Sequence, residues 1–175
     1  MTETHAPPSS HDRHHLGGTR SLGFGILSVS DTHTEQDDPS GHLARELVSK
    51  GGHKIVHYAL VANSVADARE ALEPWLKDHA VECVITVGGT GVSSRDLTVT
   101  ALETMGGKKL EGFGEIYRSL SFAEVGPLAI ISRAGLYLLQ GKPVFALPGS
   151  ERAVRTAIET LIVPAVIHLV EELER

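Results

Sequence analysis

From residue 22 onward, short uninterrupted apolar runs alternate with longer segments whose apolar positions recur every three to four residues. The runs "LGFGILSVS" (22–30), "HKIVHYALV" (53–61), "VECVITV" (81–87) and "KPVFALP" (142–148) read as strands. The third is β-branched and apolar on both faces, as expected in the middle of a parallel sheet. Between them, "SGHLARELVSKGG" (40–52) reads as a helix with Ser40 as N-cap and Gly51 as its stop. "SVADAREALEPWLKDH" (64–79) opens on a capping-box pair, Ser64 and Asp67, with Pro74 breaking or kinking its last turn. Shorter helices are expected over 97–105 and 113–125. From Ser150 on, apolar pairs recur every four residues, from Ala153 and Val154 to Leu169 and Val170. Four residues advance about 400° on a helix, so the stripe drifts around the axis. That predicts a last helix buried over much of its girth and kinked at Pro164. Alternating strands and helices predict one three-layer αβα sandwich with a mostly parallel sheet over 21–175.

The first twenty residues, "MTETHAPPSSHDRHHLGGTR", are polar and contain Pro, Ser and Gly. They read as a disordered tail, with a metal site at His11, His14 and His15 as the alternative. Of the 175 residues, 41% are hydrophobic and 22% charged, which suits one domain with a full core. The formal net charge of -6 argues against a broad nucleic-acid footprint, which needs a basic face. No uninterrupted apolar run reaches about 18 residues, so no membrane-spanning helix is expected. The N-terminus has no apolar signal-peptide core. The single Cys83 has no partner for an internal disulfide, and a cytoplasmic setting is the expectation.

In a parallel α/β sheet, ligands bind beyond the carboxyl ends of the strands. Three polar segments follow expected strands directly: 28–41, "GGTGVSSRD" (88–96) and "PGS" (148–150). All three should crowd one edge. Gly88, Gly89 and Gly91 let backbone approach a ligand and aim amides at it. Thr90, Ser93 and Ser94 add hydroxyls, and Arg95 adds a charge. This is neither a P-loop nor a complete GxGxxG frame, because Ser94 stands where the third glycine belongs. The plain alternative is a tight turn in which Asp96 merely caps the following helix. Ser150, at the start of the long helix, is either a second anion contact or a simple cap. Asp31, Asp37, Asp38, Asp96 and Glu115 supply carboxylates, and carboxylates beside anion-binding loops suggest a bridging Mg²⁺.

The segments "SVSD", "DDPSGH", "TVGGTGVSSRDLT", "EGFGEIYRSLSFAEVGPLAIISRA" and "FALPGS" resemble, in order and spacing, the MoaB/Mog family of molybdenum-cofactor biosynthesis. The likeness spans about residues 22 to 172, and "SFAEVG" and "ALPGS" resemble the MoaB branch more than the Mog branch. It implies an α/β fold that binds molybdopterin, a dithiolene pterin with a phosphate, and assembles as trimers or dimers of trimers. The apolar stripe on the last helix lends that assembly some support. The resemblance also implies transfer of AMP from ATP to the molybdopterin phosphate with Mg²⁺, releasing pyrophosphate. Such transfer relies on positioning and charge neutralisation, without a covalent nucleophile.

By position, the resemblance assigns Gly88, Gly89, Thr90 and Gly91, with Ser93, Ser94 and Arg95, to the pterin and its phosphate. Asp96 takes the catalytic and metal-binding role. Pro148, Gly149 and Ser150 form a second binding loop. Ser30, Asp31, Asp38, Ser40 and Gly41 line the mouth, and Glu115, Arg118, Ser119 and Ser121 border it. One position departs from the pattern: active relatives carry a further aspartate where this chain has Asn63. Asparagine can hold a metal-bound water but adds no negative charge. A pterin-binding protein without transferase activity therefore stands beside the adenylyltransferase. A generic nucleotide-binding α/β protein is the third reading.

Overall fold

A computed structural model describes residues 20–175. The expected tail lies outside the described residues except for Arg20, whose guanidinium bridges the carboxylates of Glu82 and Glu174. That contact ties Arg20 to the folded domain.

Six strands form one sheet in the order β2-β1-β3-β6-β5-β4. They are β1 (Gly23–Val29), β2 (Lys54–Val61), β3 (Cys83–Val87), β4 (Lys108–Leu110), β5 (Gly135–Leu139) and β6 (Lys142–Leu147). β1 pairs in parallel with β2 and β3, and β3 with β6, whereas β5 runs antiparallel to both β6 and β4. The sheet is thus mostly parallel with an antiparallel edge. The sequence pattern does not single out β4 and β5: β4 is only three residues long, and β5 directly precedes β6 through a tight turn.

The helices are α1 (Pro39–Lys50), α2 (Val65–Lys77), α3 (Thr98–Thr104) and α4 (Glu111–Val125), followed by a 3-10 segment, Gly126–Ile131. The last rod comprises α5 (Glu151–Ala157), a π-helical turn (Ile158–Ile162) and α6 (Val163–Leu173). The irregularity expected at Pro164 is accommodated as that π turn immediately upstream. Strand alternation sorts the core into two layers. Phe24, Ile26, Ile85, Phe145 and Leu147 face α1, α4 and the last rod. Leu27, Val29, Val84, Val144 and Ala146 face α2 and α3.

Two expectations need correction. The α1 cap is Asp38, whose Oδ1 accepts from Gly41 N at 3.0 Å, with Pro39 opening the helix; Ser40 already lies inside it. The last rod, Glu151–Leu173, is long and apolar enough to cross a membrane by length and composition. Its Val154, Ile158, Ile162, Val166 and Val170 are buried in the core as one stripe, but only 33% of its most apolar window is buried, so the expected burial over much of its girth is not observed. The strongly exposed large apolar residues lie elsewhere, on α4 (Ile116, Phe122), on the 3-10 segment (Leu128, Ile130, Ile131) and at Val92.

His53, which leads into β2, is buried; its Nδ1 accepts from Leu22 N at 3.3 Å and its Nε2 has no partner. Burial lowers its pKa, partly opposed by Glu82. The unfolded chain takes up a proton near pH 6.5 while the folded chain resists it, so stability falls as pH drops through and below that value. For this one proton the slope is bounded by about 1.4 kcal/mol per pH unit. Between pH 7.5 and 5, His53→Gln is expected to lose less melting temperature than the wild type. Parallel curves would remove His53 from the acid response.

Candidate functional site

Parallel register brings three strand ends into a row: Ser28 pairs with Val87, and Val87 with Leu147. Beyond that row the chain leaves β1 toward α1 on one face, and β3 toward α3 on the other. The divergence opens a cleft of about 560 Å³. Its walls come from Ser28–His33, Asp38 and Ser40, Asn63, Val87–Gly91, Arg95 and Asp96, Ile131 and Ser132, and Pro148 and Gly149.

The floor is the glycine loop. Gly88 and Gly89 take φ of +100° and +65°, a region that L side chains rarely enter. A Cβ on Gly89 would also collide with Thr98 Oγ1. The loop is tied from several sides. Gly88 N donates to Leu147 O at 2.9 Å, Thr98 Oγ1 to Gly88 O at 2.8 Å, and Thr98 N to Gly89 O at 3.1 Å. Downstream the chain folds into a turn: Asp96 N donates to Ser93 O at 2.9 Å and Ser93 N to Asp96 Oδ2 at 2.8 Å. A Cβ on Gly91 would stand 2.6 Å from that carboxylate oxygen, so a side chain there would push the Asp96 carboxylate aside. The N-cap of α3 is Leu97, without any side-chain cap, so the reading of Asp96 as a helix cap fails. Its carboxylate turns back onto the loop and lines the cleft.

Three loops are cross-linked through Asn63. Its N–H donates to Asp31 Oδ1 at 2.8 Å, and its Oδ1 accepts from Leu97 N at 3.1 Å. Asn63 thus supplies from the β2 loop the acceptor that α3 lacks in its own sequence. Across the cleft, Ser40 Oγ donates to Gly149 O at 2.7 Å, which couples the α1 start to the third loop. Ser30 Oγ accepts from the amides of Thr32 and His33, shaping the first loop locally.

Asp38 is buried, not at the mouth, and Tyr58 Oη donates to its Oδ2 at 2.8 Å. Burial first, then that hydrogen bond, raises the Tyr58 pKa and keeps the phenol protonated. With Oδ1 held by Gly41 N, both Asp38 oxygens already have protein partners. Gly41 packs against Asp38 and Ser28 behind the cleft wall. Ser93 and Ser94 line a shallow outer hollow with Thr100 and Arg133. Ser150 caps α5, accepting from Ala153 N at 3.3 Å.

The α4 residues do not reach the cleft. Arg118 and Ser119 line a separate apolar hollow beside Phe122 and Ile130, and neither Glu115 nor Ser121 lines the cleft. Arg118 instead donates to the carbonyls of Ser132 and Ala134, at 3.4 and 3.2 Å, bracing the entry to β5. Asp37 likewise lies outside the cleft, in an exposed bridge with Thr34. Sequence reasoning missed Arg133 and Tyr58: Arg133 lies within the segment that ends in "SRA" but has no role assigned there, and both act through residues distant in sequence. It also missed Asp38 as a cap, for which the pair Asp38–Pro39 was a usable signal. Among the described residues, no group of three or more His, Cys, Asp or Glu is placed to hold a metal. Chemically, the cleft offers backbone amides, one cation in Arg95, and carboxylates on opposite walls.

The family described as "Probable molybdopterin binding domain" matches residues 25–168. The chain is similar to Molybdenum cofactor biosynthesis protein B of Staphylococcus carnosus, 41% identical over 159 residues, covering 89% of this chain and 93% of that one. The crystal structure of a Molybdenum cofactor biosynthesis protein B superposes with TM-score 0.86 at 37% identity, covering 91% of this chain and 99% of that one. The tungsten cofactor synthesizing protein MoaB from Pyrococcus furiosus superposes with TM-score 0.80 at 33% identity, covering 89% and 99%.

The Asn63 cross-link yields a test. Asn63→Ala strands the Leu97 amide at a cost of about 1–2 kcal/mol, equivalent to roughly 2–8 °C in melting temperature. Asn63→Asp keeps the acceptor and should melt within about 2 °C of wild type. Equal melting of all three proteins would mean that the bond carries no weight.

Proposed function

This chain belongs to the MoaB/Mog family of molybdenum-cofactor biosynthesis proteins, and from that premise we propose that it is a molybdopterin adenylyltransferase. An oxygen of the molybdopterin phosphate attacks the α-phosphorus of ATP, the bond to the β-phosphate oxygen breaks, and pyrophosphate leaves. The observation that carries this reading is the gathering of the glycine loop, the Asp96 carboxylate and the Gly149 loop in one cleft. Cradling a phosphate needs amides that approach without side chains, which Gly88, Gly89 and Gly91 allow. Arg95 adds a fixed positive charge, and no covalent nucleophile is required.

Mg²⁺ fits the donors present. Such an ion takes one or two carboxylates and completes its shell with phosphates and water, so no all-protein cage is needed. Asp96 would hold it: Ser93 N engages Oδ2, and Oδ1 has no hydrogen-bond donor among the described residues. The ion would neutralise the phosphates as charge develops during transfer. The chain's own residues orient the two substrates, and the turn over 93–96 keeps the carboxylate aimed inward.

One observation favours a second reading, binding of the pterin without transfer. Asn63 contributes no charge, and its Oδ1 is committed to Leu97 N. For the assembly we propose a homotrimer or dimer of trimers in the cytoplasm. The exposed apolar residues of α4 and the 3-10 segment, Ile130 foremost at 84% exposure, support an interface between copies.

Asp96→Asn separates the readings. Loss of one charge at the metal should lower turnover on the order of a hundredfold, while molybdopterin affinity and fold survive. Wild-type turnover in the mutant would remove Asp96 from catalysis. No adenylylated pterin from wild type given molybdopterin, ATP and Mg²⁺ would establish the binding-only reading. For the assembly, sedimentation at micromolar concentration should give a multiple of three chains, and Ile130→Glu should shift it toward monomer. A stable wild-type monomer would contradict the assembly.

A further inference from the structure

Arg133 enters the site edge because β5 is antiparallel to β6: Gly135 pairs with Ala146, so the residues just before β5 arrive where the parallel strands end. From there its guanidinium reaches the back of the glycine loop. Nε donates to Gly91 O at 2.7 Å and Nη2 to Asp96 O at 2.5 Å, while the Arg133 amide donates to Thr90 O at 3.0 Å. Gly91 and Asp96 are the first and last residues of the turn that carries the Asp96 carboxylate. One planar fork therefore closes that turn at both ends.

We propose that Arg133 is the positioning residue that sets the Asp96 carboxylate in the cleft, an inference that rests on the transferase reading of Asp96. The rest of the loop does not need it. Gly88 and Gly89 are held by Leu147 and by Thr98 through three other hydrogen bonds. The turn over 91–96 has within itself only the Ser93–Asp96 pair and the Arg95 amide on Ser93 Oγ, and its ends are joined by the arginine. Removing the fork should release the turn, with Gly91 and Arg95 in it, while leaving the Gly88–Gly89 part of the cradle in place. A lysine is not equivalent, since a single ammonium lacks the rigid fork that meets two separate carbonyls.

The test compares Arg133→Ala and Arg133→Lys with wild type in the full chain. Hydrogen exchange without any ligand reads the clamp directly. Exchange of the Ser93 and Asp96 amides should quicken tenfold or more in Arg133→Ala, with the Gly88 and Thr98 amides unchanged as internal controls. Turnover should fall on the order of a hundredfold, as expected for misplacement of about an ångström, with a higher half-saturating Mg²⁺ concentration. Molybdopterin affinity should fall by much less than turnover, because Gly88 and Gly89 stay held while Gly91 and Arg95 loosen, a split that general destabilisation does not produce. Arg133→Lys should be intermediate in exchange and turnover, and it decides the matter if the alanine variant fails to fold. Unchanged exchange at Ser93 and Asp96 would overturn the proposal, as would an equal rise at Gly88 and Thr98. Absence of turnover in wild type would sink the transferase reading instead, and the exchange pattern would still decide whether Arg133 holds the turn.

Discussion

The whole site hangs on the register of three parallel strands. Ser28, Val87 and Leu147 lie side by side, so the loops that follow them begin at one level. A slip of one residue would be costly twice over. It would turn Phe24 and Ile26 from one core layer into the other, because strand side chains alternate. It would also carry the Gly88 amide away from Leu147 O and the glycine loop away from its neighbours. Burial on both faces of the sheet thus enforces the alignment on which the cleft depends.

Above that row, the loops are held mainly by hydrogen bonds to backbone groups. Asp31, Asn63 and Leu97 form one chain of contacts, and Ser40 and Gly149 form another. Such ties cost little reorganisation when a ligand arrives, which is the condition for preorganised electrostatics. They also sort the carboxylates. Asp38 spends both oxygens on Gly41 and Tyr58 and so serves the wall of the cleft. Asp96 spends one oxygen on its own turn. Two residues of the same type, both lining one cleft, therefore have different chemical availability.

The segment after α4 joins two surfaces. Its 3-10 turn exposes Leu128 and Ile130, and within a few residues the chain supplies Ile131 and Ser132 to the cleft and Arg133 to the glycine loop. Arg118 braces this entry from α4 by bonding the carbonyls of Ser132 and Ala134. The α4 motif thus bears on the site through the backbone it supports rather than by touching the cleft. Contacts on the apolar face and order in the loop share a short stretch of chain.

Local pattern was enough to find four of the strands, the main helices, the Ser64 cap and the convergence of three loops on one edge. These features depend on neighbours in sequence: side-chain period, capping chemistry and the rule that loops follow strand ends. The glycines that free the loop were legible for the same reason. What local pattern could not decide was which distant groups would meet. Asn63 caps α3 from another loop, Tyr58 holds Asp38, and Arg133 reaches the turn only because β5 runs against β6. The same limit explains why a helix cap stands as an alternative for Asp96 in the sequence and why the α4 residues are expected there to border the cleft. Hydrogen bonds between segments far apart in sequence follow from sheet order and packing, which only the tertiary structure decides.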